Sequence, residues 1–77
     1  MKYKEPDTLY LQKIGTTIKT LREEHGWSQE QFSFKSGLHR TYIGSIERGE
    51  RNISVLNLKK IANTLEVPIT KLFDFEI

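Results

Sequence analysis

Residues 28–49 read SQEQFSFKSGLHRTYIGSIERG, two short helical patterns separated by a glycine. Ser28 followed at the third position by Gln31 has the form of a capping box, in which hydroxyl and amide each satisfy a backbone group at a helix start. A helix is therefore predicted to begin at Gln29. It runs out at Ser36-Gly37, where glycine tolerates the left-handed conformation that closes a helix C-terminus. A second helix is predicted from about Arg40 to Gly49, with Ile43 and Ile46, and Tyr42 beside them, on its buried side. Arg40, Thr41, Gly44 and Ser45 fall on the other side. Two short helices across a tight glycine-containing turn form a helix-turn-helix. Small and polar groups on its second helix are of the kind that reaches base edges in a DNA major groove.

Upstream of this stretch, Leu11, Ile14, Ile18 and Leu21 recur at spacings of three and four, the stripe of a helix facing a core. Asp7 or Thr8 can cap its start and Gly26 its end. Residues 1–7 show no period and read as an arm, either frayed or touching DNA. Trp27, between the first two helices, is either a lid on the core or a stacking surface. Phe32 faces inward by spacing, whereas the pattern leaves Phe34 undecided.

Downstream, Gly49-Glu50-Arg51-Asn52 is a turn. Ser54 can cap a fourth helix that carries Val55, Leu58, Ile61, Ala62 and Leu65 at helical spacing, with Lys59 and Lys60 off the stripe. Pro68 suits a helix start, and a fifth short helix is predicted over about residues 69–75. Leu72, Phe73, Phe75 and Ile77 are more apolar surface than so short a helix can bury in a small core. They point to a homodimer interface within residues 66–77, or else to a tail folded back on its own chain.

The fold class expected is therefore all-α, a compact five-helix single domain spanning the 77 residues. The net charge of +2 says little, but its distribution says more. Six basic residues between Lys35 and Lys60 face only Glu47 and Glu50, while the remainder of the chain is net acidic. With no cysteine, disulfides and thiolate metal sites are excluded, and His25 and His39 stand too far apart to suggest zinc. No cofactor is expected. Neither a membrane-length apolar run nor a signal-peptide core is present, so a cytosolic protein is the expectation. Glycine-rich phosphate loops and nucleophile motifs are missing as well, which argues against an enzyme.

Several residues carry chemistry suited to DNA. Arg40 and Thr41 lie in the first turn of the second motif helix: arginine can donate two hydrogen bonds to guanine, and a threonine methyl can meet thymine's. Gly44 either permits close approach to a base or contributes nothing, and Ser45 is a further base contact. Gln29, at a helix N-terminus, can meet a phosphate with its amide and the free backbone N–H groups. Tyr42 divides its surface between the core and a phosphate, and Arg48 suits the DNA backbone, or plain solvent, better than a base. Arg51 suits a base edge or a phosphate, and Asn52 either a phosphate or ordinary turn chemistry.

The elements SQEQF, KSGL and TYIGSIERGERN, in this order, resemble the helix-turn-helix of the lambda-repressor-like (Cro/XRE) family over about residues 11–73. Within it, GLHRTYI followed by IERGERN is similar to the controller proteins of bacterial restriction-modification systems. Gly44 and the N-cap His39 depart from the family pattern. The resemblance implies a phosphate contact by Gln29, roles in DNA binding for Arg51 and Asn52, and a salt bridge between Arg22 and Glu47. It also implies a dimer on a pseudo-palindromic operator upstream of its own gene and an endonuclease gene, and an acid, here Glu30, presented to RNA polymerase; taken alone, Glu30 is equally a favourable acid at a helix N-terminus. A phage-type repressor, an antitoxin-like regulator and a protein-interaction module are the alternatives.

Overall fold

The computed structural model describes residues 4–76. Met1, Lys2 and Tyr3 of the expected arm, and Ile77 of the expected interface, lie outside the described residues. Four α-helices follow one another, α1 (Glu5–Glu24), α2 (Gln29–Ser36), α3 (Arg40–Glu47) and α4 (Val55–Leu65), and a 3-10 turn spans Ile69–Phe73.

Helix α1 begins before the expected cap at Asp7 or Thr8, so residues 5–7 are helical rather than part of an arm. Lys4 stands at the N-cap without a side-chain hydrogen bond. The start is favoured instead by Pro6, whose missing N–H would have been unpaired in a first turn, and by Glu5 and Asp7 at the positive end of the helix dipole. At the other end Gly26 takes φ 77°, and the Trp27 N–H reaches back to the Arg22 carbonyl.

The motif helices end as their residues dictate. Gln31 N–H donates to Ser28 Oγ (3.1 Å), and Ser28 N–H donates to Gln31 Oε1 (2.8 Å), which closes the capping box. Gly37 closes α2 in the left-handed region. His39 caps α3 with its ring: Nδ1 accepts from the Thr41 N–H at 3.1 Å, which sets Nε2 as the protonated nitrogen of the neutral imidazole. Ser54 caps α4 by accepting from the Asn57 N–H (3.1 Å).

The core gathers Ile18 of α1, Phe32 of α2, Ile43 and Ile46 of α3, and Ile61 and Leu65 of α4, all nearly inaccessible to solvent. Val55, expected on the α4 stripe, is 72 % exposed because α4 meets the core only from Leu58 onward; Leu56 beside it is 75 % exposed. Trp27 is half-buried and stacks on His25 with centroids 4.1 Å apart, while Lys35 Nζ sits 4.9 Å from its ring. The His25 Nε2 also meets the Leu65 carbonyl at 2.9 Å, tying the ends of α1 and α4.

The fifth helix is not α-helical. Five residues between Pro68 and Asp74 are too few to nucleate an α-helix, and the Lys71 N–H bonds three residues back to the Pro68 carbonyl. The assignment of Leu72 to a dimer interface is corrected, since Leu72 is fully buried in the core of its own chain. Phe75 is half-buried, edge-on to Tyr10 at 5.5 Å, and Phe73 lies 6.4 Å from the same ring. Part of the apolar surplus is thus absorbed within the chain, Leu72 by the core and Phe75 beside Tyr10 of α1.

Close approach of α1 to α3 positions the motif. A Cβ at Gly15 would collide with the carbonyl oxygens of Ile46 and Glu47. Gly49, at φ 75°, brings the chain after α3 equally close to α1, where a Cβ would lie 2.7 Å from the Gln12 Cα. Since backbone atoms cannot yield as a flexible side chain does, Gly15→Ala is expected to lower unfolding free energy by about 1–3 kcal/mol in urea titrations. Glu66, which ends α4 at φ 61°, gives the opposite test: Glu66→Gly should raise stability by about 1 kcal/mol.

Candidate nucleic-acid interface

The exposed end of α3 is its first turn. Arg40 and Thr41 are both exposed there, and the His39 ring satisfies the Thr41 N–H. Among the described residues no hydrogen bond or ion pair engages either side chain. One turn later the picture changes. Four residues of helix advance by one turn plus about 40°, so Gly44 and Ser45 lie nearly under Arg40 and Thr41. Yet both are buried, and their placement on the free side of the helix is corrected. The cause is cover by neighbouring side chains. A Cβ at Gly44 would stand 3.2 Å from the Arg48 Nη1 and 3.5 Å from the Gln29 Oε1. The Ser45 hydroxyl donates to the Tyr42 carbonyl (2.7 Å) and accepts from the Arg51 Nε (3.3 Å).

Beneath this surface Arg22 and Glu47 form a two-bond pair: Arg22 Nε donates to Glu47 Oε2 at 2.7 Å, and Nη2 donates to Oε1 at 2.9 Å. Both side chains are buried. The arginine also donates from Nη1 to the Trp27 carbonyl (2.7 Å). Hydrogen bonding to Glu47 holds the guanidinium pKa above its already high ordinary value, against the opposing effect of burial. Glu47 Oε1 accepts a third hydrogen bond, from Gln29 Nε2 at 3.0 Å. The amide at the start of α2 is thereby fixed beside α3, with one N–H spent and one remaining.

The charged rim continues into the turn after α3. Arg48 and Glu50 pair at the surface, Nε to Oε2 at 2.9 Å and Nη2 to Oε1 at 3.2 Å. The Arg48 guanidinium holds the Glu50 carboxyl below the usual carboxylate range, and the carboxylate in turn raises Arg48. Arg51 is exposed, with its guanidinium carbon 5.6 Å from the centre of the Tyr42 ring. The Tyr42 hydroxyl accepts from Asn57 Nδ2 at 3.0 Å. Asn52 is exposed beside a cleft shared with Asp7, Tyr10 and Leu11. Glu30 is exposed in the first turn of α2.

Gln29 and Arg48 meet over Gly44, and Arg51 reaches Ser45 and the Tyr42 ring, so the start of α2 and the turn after α3 adjoin the flank of α3, whereas Asn52 lies toward α1. Sequence reasoning missed Asn57. Its place at the third position of α4 read only as a residue near a cap, and its partner is fifteen positions away. It also left Phe34 undecided, and the ring proves 84 % exposed on α2.

The helix-turn-helix family HTH_3 matches residues 18–72. The chain is 44 % identical over 63 residues to the control protein C.BamHI of Bacillus amyloliquefaciens, covering 80 % of this chain and 78 % of that protein. The HTH-type transcriptional regulator SlrR of Bacillus subtilis (strain 168) is 45 % identical over 64 residues, 82 % of this chain but 42 % of SlrR. Among solved structures, the restriction-modification controller protein C.AhdI from Aeromonas hydrophila superposes with a TM-score of 0.80 at 44 % identity, over 82 % of this chain and 96 % of that one. The controller protein C.Esp1396I, solved as a tetramer in complex with its natural 35 base-pair operator, superposes at 0.76 and 42 % identity, over 84 % and 86 % of the two chains.

Removal of the carboxylate beneath this surface tests its architecture. Glu47→Ala strands a buried guanidinium and frees Gln29, and is expected to cost about 3–5 kcal/mol in denaturant unfolding. The double replacement Arg22→Met with Glu47→Leu should recover much of that stability, because it leaves no buried charge without a partner.

Proposed function

The chain belongs to the HTH_3 helix-turn-helix family, and we propose that it is a sequence-specific DNA-binding transcriptional regulator of the restriction-modification controller type. The observation that carries this reading is the first turn of α3: Arg40 and Thr41 stand exposed and uncovered at the end of a helix whose other half is clamped to α1 and α2. In this reading α3 enters the major groove by that end. Arg40 donates to a guanine, Thr41 meets a thymine methyl, and Arg51 reaches a base edge from the turn beyond. Gln29, Tyr42, Arg48 and Asn52 hold phosphates and set the register. The likeness to C.Esp1396I supports this reading, since that protein was solved on its operator.

The protein acts as a homodimer in this proposal. Val55, Leu56, Ile69 and Phe73 remain exposed along α4 and the 3-10 turn, and the turn falls within residues 66–77, to which the surplus of apolar residues pointed. A two-fold axis there places two α3 helices about one DNA turn apart, on a pseudo-palindrome. Its site lies upstream of its own gene and the endonuclease gene it controls, and Glu30, on the outer start of α2, faces RNA polymerase. One observation favours a second reading: Phe34, 84 % exposed on α2, is the kind of group a protein partner covers. In that reading the helix-turn-helix is a protein-interaction module.

Titration of the protein onto the DNA preceding its own gene and onto a scrambled duplex, at two salt concentrations, separates the readings. Competitor-resistant binding to the first duplex alone is expected. Weak binding to both duplexes, vanishing together as salt rises, would leave only phosphate contacts and favour the protein-interaction reading. Arg40→Ala should weaken binding to the cognate duplex by about 1–3 kcal/mol and spare binding to the scrambled one. Equal losses on both would reduce Arg40 to a phosphate contact. Leu56→Glu, at a position exposed in the single chain, should leave the fold intact and shift sedimentation from dimer to monomer; an unchanged dimer would move the interface elsewhere.

A further inference from the structure

We propose that Asn57 is a positioning residue for DNA recognition, holding Arg51 ready through the Tyr42 ring; this rests on the DNA-binding reading above. The relay crosses three elements. Asn57 Nδ2, on α4, donates to the Tyr42 hydroxyl on α3 at 3.0 Å. That bond fixes the phenol ring, which would otherwise turn about its side-chain torsions. The fixed ring is the platform for Arg51, whose guanidinium carbon lies 5.6 Å from its centre. Ser45 supplies the second restraint, accepting from Arg51 Nε at 3.3 Å while donating to the Tyr42 carbonyl at 2.7 Å.

What the relay leaves open matters more than what it closes. An arginine reading guanine uses two parallel donors from one edge of its planar fork. Here the ring face and the Nε edge are engaged within the protein. The two terminal amino groups carry no hydrogen-bond partner among the described residues, and Arg51 is exposed. The guanidinium is held in one plane with its bidentate end outward, beside the α3 surface. Ser45 therefore serves recognition through Arg51 rather than by touching a base. The ordering cost that a free arginine side chain bears on binding is met before DNA arrives. Tyr42 keeps its own O–H for a phosphate, because its oxygen acts toward Asn57 as an acceptor.

The test uses Asn57→Ala, Arg51→Ala and the double variant, on the duplex the parent protein enriches from a random-sequence pool and on a scrambled duplex. Asn57→Ala is expected to weaken binding to the enriched duplex by roughly tenfold, a loss within the range of one bidentate base contact. It should change binding to the scrambled duplex little, and it should have no further effect once Arg51 is alanine. In the free protein, NMR relaxation of the Arg51 Nε–H group should show an ordered side chain that becomes mobile in Asn57→Ala. Tyr42→Phe keeps the ring but loses the hydroxyl that Asn57 grips, so it should loosen Arg51 too, even if Asn57→Ala does not fold. Additive losses in the double variant, or an Arg51 that stays ordered in these variants, would overturn the relay. Failure of the parent to enrich any sequence would overturn the DNA-binding reading and the relay's role in it, whereas the relaxation measurement needs no DNA and so tells the two failures apart.

Discussion

The Glu47 carboxylate is the constraint on which the rest of the structure depends. It accepts two hydrogen bonds from Arg22 of α1 and one from Gln29 of α2, so three helices are referred to a single group at the end of α3. A charge so deeply placed is costly unless its lone pairs are filled. Filling them requires all three helices to meet at one angle. A hydrophobic contact in the same place would tolerate sliding, whereas a forked guanidinium against a carboxylate does not. Gly15 makes the same demand from the other direction, because α1 can pass this close to the end of α3 only where a Cβ is missing.

A domain of 77 residues has a small core, and its apolar contacts alone leave room for slippage. On the proposed DNA reading, rigid placement matters because α3 offers only its exposed first turn. Errors of an ångström at the Arg22–Glu47 pair would be carried directly to Arg40 and Thr41, whose side chains make no hydrogen bond among the described residues. Exposure of the first turn of α3 and burial of its clamped end are thus two aspects of one design. Gly44 belongs to the clamped end. Its lack of a side chain admits the Gln29 amide and the Arg48 guanidinium, both of which then border the surface.

Much of this was legible in the chain because it is local. The capping box of Ser28 and Gln31, the closing glycines 26 and 37, and the α1 stripe each follow from a few neighbouring residues. Errors arose where distant segments decide the outcome. Gly44 and Ser45 share a helix side with Arg40 and Thr41, but side chains from α2 and the following turn cover them, which no periodicity records. Leu72 looked surplus because the contacts that bury it, and those that set Phe73 and Phe75 against Tyr10, join the end of the chain to helices far away in sequence. The Arg22–Glu47 pair came from family likeness, since spacing alone does not join residues twenty-five positions apart.

The same distinction explains why the interface joins a rigid part to an adjustable one. Arg40 and Thr41 are fixed through their backbone, by the His39 cap and the clamp at the far end of α3. Arg48 and Arg51 sit in a turn, and their long side chains are steadied by side-chain partners, Glu50 for one and Tyr42 with Ser45 for the other. The two restraints differ in what they do when an anion approaches. Glu50 competes with a phosphate for Arg48, because a carboxylate and a phosphate use the same donors. The Tyr42 face competes with neither a phosphate nor a guanine for the terminal donors of Arg51. On the proposed DNA reading, binding breaks the first arrangement and can keep the second, so the two arginines, three residues apart, bring opposite costs to the same encounter.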